Sequence, residues 1–156
     1  MEEIKPSIMA SLQKITPYLW FDNQAHEAAQ FYVSVFPDSG IKSTSPMITE
    51  FHLSGQDFMA LNGGPQFQFN EAISFFVLCE DQQEVDYYWD QFTLNGGEES
   101  MCSWCKDKYG LSWQIVPRQL MELIGAPDRE KANKAMQAML RMRKIIIADL
   151  EKAFNS

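Results

Sequence analysis

Cysteine is scarce in this chain. Its three residues, Cys79, Cys102 and Cys105, are too few and odd in number for a disulfide framework. Long apolar runs are missing too: none approaches the roughly 20 residues a membrane span needs. The Met-Glu-Glu start lacks the basic-then-apolar pattern of a secretory signal. These absences lead to the expectation of a cytoplasmic protein with no membrane partner. Positive charge is in short supply, at 13 Lys/Arg against 21 Asp/Glu, a net −8. That balance argues against nucleic acid as the main partner. The shortage is uneven. Residues 129–156 carry seven Lys/Arg and three Asp/Glu, or +4, which leaves −12 on the rest. A basic helical tail could meet an acidic partner, and a solvated helix face explains the same charges.

What is present suffices for a core. Over 156 residues, 46% are apolar, which excludes a disordered chain and suits one domain. Residues 1–14 read as a loosely held lead-in. Ile15 to Phe21 is the first strand candidate, with Ile15, Leu19 and Phe21 on one face and Thr16, Tyr18 and Trp20 on the other. Pro17 suits the start of such a strand better than its centre. Asp22-Asn23 offers a helix cap. A helix over about Gln24 to Val35 follows, with Ala25, Ala28, Ala29, Tyr32 and Phe36 on one stripe. Ile41 to Leu61 should hold three strands, with a turn at Ser54-Gly55-Gln56-Asp57. The middle one places Glu50 and His52 on one face and Phe51 and Leu53 on the other.

The element order then repeats. Ile73 to Cys79, ISFFVLC, reads as a buried strand. Asp81 and Glu84 form a capping pair for a helix with the stripe Val85, Tyr88, Trp89 and Phe92. Short strands over roughly Glu98 to Cys102 and Ser103 to Asp107 precede Leu111 to Val116. The chain therefore reads βαβββ twice, at about 15–62 and 73–117. A helical extension covers about 118–155: Gln119 to Ile124, then Arg129 to Phe154, capped by Asp128 and broken near Met142 to Lys144. The stripe there is Ala132, Met136, Met139, Leu140, Ile147, Leu150 and Phe154. The nine methionines suit core or interface filling better than recognition.

Two stretches are the most specific, WFDNQAHEAAQFYVSVFPDS and DKYGLSWQIVP. With GQDFMALNGGP and the closing APDREKANKAMQAMLRMRKIIIADLEKAF they resemble the PhnB-like branch of the vicinal-oxygen-chelate superfamily, which includes glyoxalase I, bleomycin-resistance proteins and extradiol dioxygenases. That branch often carries the label 3-demethylubiquinone-9 3-methyltransferase. The resemblance covers about residues 14–155. It implies an α+β fold in which two βαβββ modules form a curved mixed sheet with a cleft, followed by the C-terminal helical extension. It also implies a single domain over 1–156 and a homodimer, since such modules complete their clefts by pairing within or between chains.

In the superfamily four strand positions hold a metal through His and Glu. Carried over one at a time, they fall at Thr16, Asn62, Ser74 and Gln114. Gln114 follows the D-x-x-G turn Asp107-Lys108-Tyr109-Gly110. None is His, Cys or a carboxylate, so the resemblance implies no metal and no cofactor. What remains is a polar quartet beside Tyr18, Trp20 and Phe76, a composition that suits a small-molecule pocket. The same groups could instead bond one another in a filled core. No G-x-G-x-G follows any strand, so a methyl-donor site of the usual kind is not expected. The first function expected is small-molecule binding without a transition metal, in an undetermined role. The alternative is an enzyme acting on a small oxygenated or aromatic metabolite, using a weakly held metal or Glu50 and His52 as base and orienter. A scaffold whose product is its dimer surface is a third. His26 should be exposed. Cys102-Ser103-Trp104-Cys105 is an isolated C-x-x-C, lacking the further ligands of a zinc site and the helix N-terminus of a redox pair.

Overall fold

The computed structural model describes residues 13–156, so most of the expected lead-in lies outside the described residues. Two compact units divide the chain, the first ending at Gln68 and the second running from Phe69 to Ser156. Each contains one βαβββ module built on a four-stranded mixed sheet.

In the first unit β1 (Tyr18–Phe21), α1 (Ala25–Val35), β2 (Gly40–Thr44), β3 (Ile48–Leu53) and β4 (Gln56–Asn62) follow in order. The sheet order is β1-β4-β3-β2, with β1 parallel to β4 and the remaining pairs antiparallel. Strand β1 starts three residues later than expected. Thr16 sits before it and donates its hydroxyl to the Gln13 carbonyl at 3.0 Å. Pro17 has no N–H to give, but its carbonyl accepts from Met59 N–H at 3.0 Å and so opens the parallel ladder. Ile15, expected inside, is 86% exposed.

One face of this sheet packs on α1. Three alanines, Ala25, Ala28 and Ala29, let the helix approach closely, and Tyr32 stacks on Phe51, which stacks in turn on Phe58 at 5.3 Å. The β3–β4 hairpin turns through Ser54 and Gly55 at φ 46° and 87°. Two successive positive φ values are the geometry whose twist matches a two-residue hairpin. Glycine adopts it freely, and Ser54 is held there by its hydroxyl donating to Pro37 O at 2.8 Å.

The second unit repeats the plan with β5 (Ser74–Cys79), α2 (Gln82–Thr93), β6 (Glu98–Glu99), β7 (Trp104–Lys106) and β8 (Ser112–Pro117). Its order is β5-β8-β7-β6, with β5 parallel to β8. Asp81 caps α2 by accepting from Glu84 N–H at 2.9 Å. The expected stripe Val85, Tyr88, Trp89 and Phe92 is buried, and Phe92 stacks on Trp113 at 4.5 Å.

Three helices follow: α3 (Arg118–Ile124), α4 (Arg129–Met139) and α5 (Ile147–Phe154). Asp128 caps α4 by accepting from Lys131 N–H. The break between α4 and α5 has a clear cause. Carbonyls that a continuous helix would consume are taken from outside: Met142 O and Arg143 O accept from Cys102 N–H and Ser103 N–H at 2.7 and 3.0 Å. Gln82 then clasps both sides of Ile146, donating to Ile145 O and accepting from Ile147 N–H. Three consecutive β-branched isoleucines favour that extended path. The break re-phases the stripe, so Ile145 joins Val116, Leu120 and Leu150 in a buried cluster while Leu140 is 47% exposed. Among the described residues no helix is long and apolar enough to cross a membrane.

Candidate functional site

Alternation decides what each sheet presents on the face away from its helix. In the first unit that face carries Tyr18, Trp20, Glu50, His52, Met59 and Leu61. Tyr18 is 49% exposed. Trp20 folds onto the loop after β4. Its indole N–H donates to Gly64 O at 2.9 Å and its ring meets Phe67 edge-on at 5.0 Å. The ring also lies where a Cβ on Gly63 would come within 2.4 Å of it, so only glycine fits beneath.

Asn62 lies on the opposite side. Its Oδ1 accepts from Ala25 N–H at 2.8 Å and its Nδ2 donates to Pro46 O at 3.0 Å. A residue expected to line a pocket thus caps α1, filling the role expected of Asp22-Asn23. Glu50 and His52 do share a face. Glu50 Oε2 accepts from Ser43 Oγ at 3.1 Å, while His52 Nδ1 is buried with no hydrogen-bond partner among the described residues. No hydrogen bond joins the two, so a base with its orienter is not assembled. His26 is exposed, with Thr44 Oγ1 3.2 Å from its Nδ1.

In the second unit the strands place side chains in rows. Ser74 and Lys106 flank Ser112, Phe76 and Trp104 flank Gln114, and Leu78 lies beside Val116. Gln114 Nε2 donates to Ser74 Oγ at 2.8 Å. Phe76 and Leu78 are each 50% exposed, large apolar groups that the unit's own helix does not cover. Of the seven expected lining residues, the structure therefore groups Ser74, Phe76 and Gln114 on one face, and Tyr18 and Trp20 on another. Thr16 and Asn62 serve local structure. Ser112, Lys106, Trp104 and Leu78 join the first group.

The turn that precedes β8 is structural. Asp107, 3% exposed, accepts from Tyr109 N–H and Leu111 N–H through Oδ1 and from the Trp113 indole N–H through Oδ2. Cys105 is buried, and burial, reinforced by Asp107 and Glu99, pushes its thiol up to about 12. Burial likewise carries Cys79 to about 12. Neither is a thiolate at neutral pH.

The superfamily's metal test fails on donor chemistry. The four positions supply two hydroxyls and two amides, all neutral, and all four are engaged in the bonds just described, Ser74 as acceptor from Gln114. Among the described residues no three His, Cys, Asp or Glu side chains gather as a metal site requires.

Residues 13–116 match the family described as 3-demethylubiquinone-9 3-methyltransferase. The chain belongs to this family. It is the PhnB-like branch of the vicinal-oxygen-chelate superfamily. A solved structure described as a putative 3-demethylubiquinone-9 3-methyltransferase, PhnB protein, from Bacillus cereus is 33% identical, with a TM-score of 0.61. The match covers 67% of this chain and 99% of that one. A protein from Pseudomonas aeruginosa, 17% identical at a TM-score of 0.54, covers 67% of this chain and 97% of its own. A protein from Arabidopsis thaliana, 16% identical at 0.51, covers 67% and 98%. These two likenesses show the fold. No curated protein matches the chain in sequence. The PhnB-like match ends at residue 116, so α3 to α5 lie beyond it.

Proposed function

We propose that this PhnB-like chain binds a small molecule with an apolar body and a hydrogen-bonding group on the open face of its second unit, without a transition metal. The observation that carries this is the Gln114–Ser74 hydrogen bond, with the half-exposed Phe76 directly across the strand pair from Gln114 and the half-exposed Leu78 one row beyond. A half-buried amide beside uncovered apolar surface is how small-molecule sites fix orientation and gain affinity together. Methyl transfer, which the family's description mentions, finds no support in the connections from strand to helix. Asp22-Asn23-Gln24 and Glu80-Asp81 make those links, where a nucleoside-sulfonium donor would call for a glycine-rich loop.

A thermal-shift screen of small aromatic and aliphatic metabolites tests this reading. Hits on the wild type should lose their effect in both Gln114→Leu and Phe76→Asp. Hits that survive both substitutions would place binding elsewhere and defeat the proposal.

A second reading rests on one observation, the unpartnered buried Nδ1 of His52 on the face that carries Glu50. A substrate supplying that missing partner would make His52 an acid or base. Turnover of a screened compound, abolished by His52→Gln, would favour it. We further propose a cytoplasmic single domain that forms a homodimer. The half-exposed Met121 and Leu140 on and beside the C-terminal helices support pairing. Light scattering at micromolar concentration, if it returned a monomer, would contradict that part.

A further inference from the structure

Ser112 is 1% exposed, and its Oγ has no hydrogen-bond partner among the described residues. Buried hydroxyls are ordinarily paired, so this orphan points to a group that completes it. Its two cross-strand neighbours are Ser74, from β5, and Lys106, from β7. Directly opposed residues in adjacent strands hold their Cβ atoms about 4.5–5.5 Å apart, so all three side chains leave the sheet together. Two hydroxyls and one ammonium in a row make a donor-rich strip. The next row, Phe76, Gln114 and Trp104, is mainly apolar and aromatic.

Lys106 Nζ already has a carboxylate against it, that of Glu71. Glu71 comes from the turn before β5, where Asn70 Oδ1 accepts from Ala72 N–H. The pair is loosely held: the two side chains are 28% and 60% exposed. An exposed ion pair of this kind adds little net stability and opens readily. The Lys106 ammonium is raised and the Glu71 carboxyl lowered, chiefly by their mutual hydrogen bond, so both stay charged near neutral pH. Glu98 faces Lys106 from the edge strand and adds a second negative charge.

We propose that Ser74, Ser112 and Lys106 form the subsite for the carboxylate of a small monocarboxylic acid, and that Glu71 is an internal carboxylate seated on Lys106 until the ligand displaces it. This rests on the small-molecule reading of the same face and names its ligand class. The exchange is balanced in charge. One carboxylate replaces another beside Lys106, and Glu71 moves into water. The same balance excludes more highly charged anions. A phosphate would bring up to two charges to a single cation that already has Glu98 beside it, with no arginine fork to receive them. Ser112 supplies the hydroxyl donor that the acid needs and gains the partner it lacks. The body of the acid then lies along Phe76 and Trp104.

Titration calorimetry on the full chain tests this with phenylacetate, its uncharged isostere phenylacetamide, and inorganic phosphate. Phenylacetate should bind at least about tenfold tighter than the amide, because the uncharged amide loses the charge-assisted bonds, and phosphate should not compete, because its second charge has no cation to meet it. Glu71→Gln removes the competitor and should tighten phenylacetate severalfold while leaving the amide unchanged. Lys106→Met should erase the preference for the acid and Lys106→Arg should keep it. Should the Met variant fail to fold, Lys106→Arg and Glu71→Gln still decide the matter. Equal affinities for acid and amide, tighter binding of phosphate, or a Glu71→Gln variant that behaves as wild type would each overturn the subsite. If acid and amide bind equally and both are lost in Gln114→Leu, the subsite falls and the small-molecule reading stands. If neither probe binds, the subsite falls, and the broader reading is then judged by its own ligand screen.

Discussion

Asp107 receives the indole N–H of Trp113 at 2.9 Å, with both groups almost wholly buried. The contact joins the D-x-x-G turn to the side of β8 that stacks on α2, because Trp113 also lies 4.5 Å from Phe92. One carboxylate therefore fixes the turn through two backbone amides and fixes the strand through a side chain.

Asp107→Asn should cost about 2–4 kcal/mol of stability in urea unfolding. The amide keeps one acceptor oxygen and turns an N–H₂ toward a buried donor, so charge-assisted bonds are lost and an unsatisfied group is created. Trp113→Phe, which leaves only one oxygen of Asp107 short of a donor, should cost less for the hydrogen bond itself. A stability equal to wild type for Asp107→Asn would mean that the turn does not depend on its carboxylate.

Asn62→Ala should destabilise by about 1–2 kcal/mol, the ordinary cost of losing a helix cap. Asn62→Asp should cost less, since its oxygen still accepts from Ala25 N–H and its charge suits the helix N-terminus, although the donor to Pro46 O is gone. Chemical denaturation of the two variants side by side checks the ranking. The reverse order would show that Asn62 acts mainly through its amide N–H₂.

Thiol labelling should separate the cysteines. Native protein near pH 7.5 should react at Cys102, which is partly exposed, and be slow at Cys79 and Cys105, whose burial pushes them up to about 12; denatured protein should react at all three. The linkage has a definite sign. Between about 9 and 12 the unfolded thiols release protons that the folded ones keep, so the unfolded state binds fewer protons and stability falls as pH rises through that window. The contribution is fully present below about pH 9. Unfolding midpoints that decline less from pH 8 to 10.5 in Cys79→Ala/Cys105→Ala than in wild type would be the expected result; Tyr88, which burial pushes up to about 12, keeps some decline in both.

Gln82→Ala should release the segment between α4 and α5. Two hydrogen bonds to backbone groups disappear, which is worth about 1–3 kcal/mol in total. Hydrogen exchange offers a local readout: the amides of Cys102 and Ser103, which donate to Met142 O and Arg143 O, should lose protection in the variant. Those two residues have φ of 57° and 82°, a backbone cost that the docked segment offsets. Unchanged protection would show that the buried cluster around Ile145 holds the segment without the clasp.

Much of the fold could be read from spacing because its cores follow simple periods. The Val85, Tyr88, Trp89 and Phe92 stripe and the Phe51/Leu53 alternation are local patterns, and both meet the sheet as expected. The C-terminal stripe carries its expected break near Met142 to Lys144, and its two halves take different phases. Ile145 enters the core only because external donors capture the carbonyls before it, and those donors lie about 40 residues away in the chain. The candidate site was legible in its composition more than in its grouping. Gln114 and Ser74 lie diagonally across a parallel strand pair, and the bond between them depends on the register of β5 on β8. Asn62 is expected to line the site only because the superfamily's fourth-strand position falls on it. Its job is set by Ala25, 37 positions earlier. Ser112 beside Lys106 emerges only from the register of β7 on β8, which no local pattern encodes.

The parallel pairing of first strand with last has a consequence for how each unit is made. Tyr18 waits for Met59, and Ser74 for Ser112, 38 residues further on. During synthesis β5 leaves the ribosome as ISFFVLC, an apolar, β-prone segment with no charge inside it, well before the strand that will cover its edge exists. Until then each unit has only antiparallel neighbours to work with: β2, β3 and β4 in the first, the small β6–β7 pair in the second. The first unit can assemble a three-stranded meander early, whereas the second keeps its stickiest segment unpaired almost to the end. Aggregation in the cell should therefore arise from delayed completion of β8, and slowing translation once β8 has emerged from the ribosome should leave more nascent chain already folded than slowing it while β8 is still enclosed.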